Sequence, residues 1–215
     1  MSDDLQLRIT GIEAGEELDG ARRLLIKTTR GPIRLLMHGT AGVTRAVLCV
    51  SGAIGGFNGP ARLYERLGRE LPVTGTAVAR LDYRAPNEFG ECLVDTLAGL
   101  SVLRGTGHHS TALIGHSFGG AVAINAGTLA PQVATVIAIS SQLAGAHVVA
   151  DLAPRPLLLI HGTADLVLSH ESSQAIFDRA REPRRLELIP EADHGYSAHA
   201  ERLFELVAEW LAATL

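Results

Sequence analysis

The run Ala46–Val50, AVLCV, has no polar position. A strand with one face in water alternates apolar with polar residues. A run without that alternation has to be covered on both faces. STALIG (110–115), VATVIAI (133–139) and PLLLI (156–160) read the same way, and TAVARLDY and RRLELIP add two further strands. Between them lie stretches of helical spacing: PARLYERLGREL, where Pro60 suits a first helical position, ECLVDTLAGLSVLR, FGGAVAINAGTLA and HESSQAIFDRAR. A long amphipathic stretch, SAHAERLFELVAEWLAATL, closes the chain. Strands alternating with helices predict the α/β class, with a mainly parallel central sheet, helices on both faces and three layers.

The first forty residues follow another rule. LQLRITGI (5–12), RRLLIKTT (22–29) and PIRLLMH (32–38) do alternate, and Gly, Asp and charged residues separate them. This predicts an antiparallel N-terminal meander with one wet face.

A chain of 215 residues that is 47% apolar is long enough for one sizeable core, so residues 1–215 read as a single domain. The net charge of −4 argues against a nucleic-acid surface, which needs clustered cations. Two isolated cysteines, Cys49 and Cys92, suit a reducing compartment better than a disulfide framework. The acidic start MSDDLQLRIT lacks the apolar core of a secretory leader, and no apolar run nears bilayer length. The expectation is a cytoplasmic protein with no nucleic-acid or membrane partner, as monomer or homodimer.

In an open parallel sheet, ligands bind beyond the carboxyl ends of the strands. Past STALIG lies Gly115-His116-Ser117-Phe118-Gly119, a serine between glycines where a strand meets a helix. A hydroxyl is a weak nucleophile until a base takes its proton, and a tight strand–helix turn exposes it to one. Past PLLLI lies HGTAD, ending in Asp165, and past RRLELI lies PEADHG, containing His194. A serine, an acid and a histidine at three strand ends are what a proton relay needs. Past AVLCV lies the glycine-rich turn Ser51–Gly56. Ala53 there and Phe118 beside the serine are candidate backbone donors to an oxyanion.

These segments resemble those of the α/β-hydrolases: the G-x-S-x-G elbow at Gly115–Gly119, the oxyanion turn at Ser51–Gly56, the acid segment His161–Asp165 and the histidine segment Asp193–Gly195. The resemblance runs from about Ala46 onward. It implies an α/β-hydrolase fold and a small serine esterase-like enzyme, related to dienelactone hydrolases and carboxylesterases. Such an enzyme acts without cofactor or metal on small carboxylic esters, thioesters or lactones through an acyl-enzyme. Ser117 would be the nucleophile, His194 the base and Asp165 its orienting acid. Many relatives carry His-Gly where this chain has Ser51-Gly52, and dienelactone hydrolases carry cysteine at the position of Ser117.

Asp82 reads as bracing its own loop, Asp151 as ranking below Asp165 for the acid because it lies well past its strand end, and His108-His109 as a solvated loop. Only the interval Ser141–Arg155 stands where lipase-like relatives insert a lid, which is too short for a cap domain. The pocket is therefore expected to be shallow, with Phe57, Leu143, Val167 and Tyr196 lining it around a small acyl substrate. Two other uses fit the same residues: a non-catalytic ligand- or protein-binding member of the fold, and an acyltransferase with the same triad.

Overall fold

The computed structural model describes residues 6–18, 20–39 and 42–215. The N-terminal MSDDL, and with it the expected start of the first strand at Leu5, lies outside the described residues. The strands are β1 (Ile9–Leu18), β2 (Ala21–Thr28), β3 (Ile33–His38), β4 (Arg45–Val50), β5 (Thr76–Asp82), β6 (Ser110–His116), β7 (Val133–Ile139), β8 (Leu157–Gly162) and β9 (Arg184–Ile189). The helices are α1 (Leu63–Glu70), α2 (Phe89–Gly105), α3 (Phe118–Leu129), α4 (Glu171–Arg179) and α5 (Ala200–Thr214).

The strands form one sheet in the order β1-β2-β3-β5-β4-β6-β7-β8-β9. β1, β2, β3 and β5 pair antiparallel, and the pairs from β5–β4 through β8–β9 are parallel. β1 continues six residues past the expected end at Ile12 because register slips, one of them between Ala14 and Glu17, keep it paired with β2 where alternation fails. The parallel part begins in its own middle. The chain lays β5 on one side of β4 and then crosses to lay β6 on the other, so a crevice opens above β4 and β6.

Both faces of β4 are covered, as its unbroken apolar run requires. Ala46, Leu48 and Val50 join the core beneath α2 and α3, while Val47 and Cys49 join the core beneath α1 and α5. Cys49 and Cys92 are buried free thiols; burial pushes both up, Cys92 to about 12. Pro60 opens a short 3-10 turn, not the α-helix itself. Ala61 and Arg62 take left-handed backbone (φ 45° and 57°), and α1 begins only at Leu63. Between β7 and β8, Ser141–Arg155 forms turns and one 3-10 turn at Val149–Leu152. Among the described residues no helix is long and apolar enough to cross a membrane.

Candidate active site

Ser117 stands between β6 and α3 with φ 58° and ψ −122°, a backbone conformation that costs a non-glycine residue about 1–3 kcal/mol. Its neighbours explain why the strain persists. A Cβ at Gly115 would lie 2.0 Å from Gly119 O, and one at Gly119 would lie 2.2 Å from Ser51 O. Both contacts are with backbone, so only glycine lets β6, β4 and the first turn of α3 close this tightly. The Ser117 N–H is spent on Ile139 O of β7 (2.8 Å), which pins the elbow from the other side.

The acid and histidine loops follow adjacent strands and are stitched together. Thr163 N–H donates to Ile189 O (3.0 Å), Ala164 N–H to Ala192 O (3.0 Å) and Glu191 N–H to Thr163 Oγ1 (3.0 Å). That stitching sets His194 Nδ1 2.7 Å from Asp165 Oδ2. The carboxylate accepts there, so Nδ1 carries the proton and Nε2 is the nitrogen left to act as a base. Asp165 Oδ1 is occupied by the N–H groups of Val167 (2.8 Å) and Leu168 (2.9 Å). Burial pushes the Asp165 carboxyl up, but those N–H donors and the His194 imidazole outweigh it and hold the group below its ordinary value. It is ionised near pH 7.

Two further histidines complete the cluster. His116 lies against His194, ring centroids 4.7 Å apart, and its Nε2–H donates to His194 O at 3.0 Å. Being the residue before Ser117, His116 ties the histidine loop to the elbow. Burial, with the neighbouring His194, lowers it to about 4, so it is neutral near pH 7. His161 is fully buried, with Nε2 3.0 Å from Leu168 O and 3.2 Å from Asp165 Oδ2, and Nδ1 2.7 Å from Ser173 Oγ. It gives the carboxylate a second imidazole contact. The sequence reading places it only as the first residue of the acid segment, with no role for its side chain; its signal was a histidine closing a buried apolar strand four residues before an acid.

Beyond β4, Gly55 N–H bonds Gly52 O (3.1 Å) and closes a turn around Ala53 and Ile54. A Cβ on Gly52 would sit 3.5 Å from Ser117 Cβ, so this turn lies directly against the elbow. The N–H groups of Ala53 and Phe118 form no hydrogen bond among the described residues. The Phe118 ring packs edge-on against Phe89 in the core.

The expected lining residues divide. Leu143 is half-buried and Val167 is 68% exposed. Phe57 follows the turn after β4 and edges a cavity of about 920 Å³ over the meander, with Leu25, Leu36 and Arg34. Tyr196 corrects the sequence reading. It is fully buried among Ile139, Ile160 and α5, and its hydroxyl bonds Ser140 Oγ (2.9 Å) and Ile160 O (3.3 Å), so it lines no open pocket. Ile54 (96% exposed) and Leu166 (98%) are apolar residues on the turns after β4 and β8 that the sequence reading does not single out. Asp82 braces the turn after β4 and not the loop that follows it, accepting the Gly56 N–H at 2.7 Å, and Asp151 is exposed.

No family model matches the sequence. YfhR of Escherichia coli K12, an uncharacterized protein, is 31% identical over 160 residues, covering 58% of this chain and 55% of its own length. YfhR of Salmonella typhi is 41% identical over 46 residues, 21% of this chain and 16% of its own. The chain thus spans about half the length, or less, of these curated relatives. Among solved structures, a dienelactone hydrolase from Anabaena variabilis superposes with a TM-score of 0.77 at 18% identity, covering 91% of this chain and 99% of its own. An alpha-beta serine hydrolase homologue from Coxiella burnetii gives 0.74 at 18% (91% and 100%), and Est1E from Butyrivibrio proteoclasticus gives 0.73 at 16% (95% and 98%).

Proposed function

The chain has the α/β-hydrolase fold, and from that premise we propose that it is a serine hydrolase acting on small carboxylic esters, thioesters or lactones through an acyl-enzyme. The observation that carries this is the 2.7 Å His194–Asp165 bond, tied through His116 to the strained turn that holds Ser117. Solved structures of the same fold bear hydrolase and esterase names, which supports the same class of chemistry.

Ser117 Oγ attacks the acyl carbonyl carbon and passes its proton to His194 Nε2. Asp165 holds the imidazole in the Nδ1–H form and stabilises the imidazolium. The carbonyl π electrons move to oxygen, which receives the N–H groups of Ala53 and Phe118. Collapse breaks the ester C–O bond, and His194 returns the proton to the leaving alcohol. Water, deprotonated by the same imidazole, then releases the acid and frees Ser117. None of these steps calls for a cofactor or metal. The residues form one domain without a lid between β7 and β8, so the site opens to water.

A fluorophosphonate probe tests the reading. Labelling of the wild-type chain at Ser117, absent in folded Ser117→Ala, is expected. Folded wild-type protein that stays unlabelled and cleaves no short ester favours a binding role instead.

A further inference from the structure

We infer that Arg80 is a positioning residue for the oxyanion turn: from β5 its guanidinium fixes the two residues after Gly56, and so holds the Ala53 N–H in place. The inference rests on the function proposed above. Arg80 and Asp82 are alternate residues of β5, so they share one face of the sheet, and each is 5% exposed. Arg80 Nε donates to Phe57 O at 2.8 Å, and Nη2 donates to Asn58 Oδ1 at 2.7 Å. Asp82 Oδ1 accepts the Gly56 N–H at 2.7 Å. One strand therefore grips three successive residues just past the Gly52–Gly55 turn. The near end of that turn is anchored separately, through β4 and the Tyr64 hydroxyl on Val50 O (2.9 Å).

A buried guanidinium calls for a reason. Taking a cation out of water is costly, and an apolar residue of similar volume is often no worse for stability. The partners of Arg80 are a carbonyl, an amide oxygen and His38 Nε2 (3.4 Å), none of them a carboxylate. What a guanidinium supplies here is a rigid fork of donors that sets two oxygens at once. An oxyanion donor works only where it is already aimed at the place charge will develop. Loosening the clamp therefore weakens binding of the transition state more than that of the substrate.

The test uses the full chain as wild type, Arg80→Met, Arg80→Lys and Asn58→Ala, with p-nitrophenyl acetate as substrate. A boronic acid, which adds the Ser117 oxygen to give a tetrahedral anion, serves as transition-state analogue. Arg80→Met is expected to lower kcat by about 10–100-fold with KM nearly unchanged, and to weaken boronate binding by the same factor. Arg80→Lys recovers part of both, because an ammonium reaches one oxygen where the fork reaches two. Asn58→Ala removes an exposed side chain and one arm of the clamp, and is expected to lower both quantities a few-fold. Denaturant unfolding checks that each variant is folded. If the Arg80 variants do not fold, Asn58→Ala decides alone. Wild-type kcat and boronate affinity in the folded variants overturn the inference, and so does a fall in kcat with boronate affinity unchanged. A wild-type chain that neither cleaves ester nor takes the fluorophosphonate at Ser117 sinks the proposed function first, and this inference with it.

Discussion

Two turns meet at Ser117, the elbow that carries it and the turn after β4, and they are held by different means. The elbow is locked by backbone against backbone: Gly115 against Gly119 O, and Gly119 against Ser51 O, at distances no Cβ tolerates. The turn after β4 is roomier at Gly52 and Gly56. Its Gly52 would accept a Cβ at an ordinary 3.5 Å, and Gly56 has nothing within 4 Å of one. Side chains of another strand, Arg80 and Asp82, hold it instead. The proposed nucleophile needs one rigid geometry that local sterics can impose. The proposed oxyanion donors need a direction, which the inference above assigns to side chains of a neighbouring strand.

The largest effects should separate the two turns by stability. Gly115→Ala and Gly119→Ala are expected to cost more than about 4 kcal/mol, or to yield no folded protein, because the blocking atoms cannot move aside. Gly52→Ala should stay within about 1 kcal/mol. Urea denaturation reads both, and equal costs at the two turns would erase the distinction.

Chemistry comes next. Ser117→Ala should stay folded and lose turnover by about 10³-fold or more, leaving only binding and oxyanion contributions. Asp165→Asn should cost about 10²–10⁴-fold, while Asp151→Asn, on an exposed side chain, should leave kcat/KM unchanged. A larger loss in Asp151→Asn than in Asp165→Asn would reassign the acid.

His116 couples the elbow to the histidine loop, and its titration should show in the acid limb of stability. Its folded value, about 4, lies below the ordinary 6.5, so the fold resists its protonation. The contribution is complete above about pH 6.5 and is lost as pH falls toward 4, amounting to up to about 3 kcal/mol. His116→Gln keeps a donor for His194 O but cannot titrate, so its stability should fall less steeply over that window. Parallel acid limbs for the two proteins would remove His116 from the account.

The smallest expected effect concerns reach. With Val167 68% exposed and Tyr196 in the core, little surface waits to bury a long acyl chain. Methylenes that stay wet forgo the roughly 0.8 kcal/mol each gains on burial. kcat/KM for p-nitrophenyl esters should peak at short acyl groups, with no jump on micelle formation. Interfacial activation on long-chain esters would contradict the open site.

Much of this was legible in the chain. The unbroken run AVLCV demanded cover on both faces and has it. The serine, acid and histidine each fall past the end of a predicted strand, and the sheet gathers Asp165 and His194 to 2.7 Å. The failures share a character. Tyr196 stands two residues from His194, yet left-handed backbone (φ 58°) turns its ring into the core, which its apolar ring and Ser140 partner reward. Pro60 marks a turn onset, but the α-helix waits for two left-handed residues that no pattern announces. β1 outlasts its alternation because pairing with β2 continues through slipped register.

The order of apolar and polar residues along the chain determined the elements, the class of sheet and which loops would meet at its carboxyl edge, since periodicity and turn chemistry act over a few residues. Which side chains brace those loops was decided by the strand order. Arg80 meets Phe57 only because β5 is laid beside β4, and His161 meets Asp165 Oδ2 only because the loop after β8 folds back over its own strand end. A buried charge is favourable or ruinous according to the oxygens that surround it, and those oxygens come from residues far away in sequence. Composition and spacing carry no record of them until the sheet has formed.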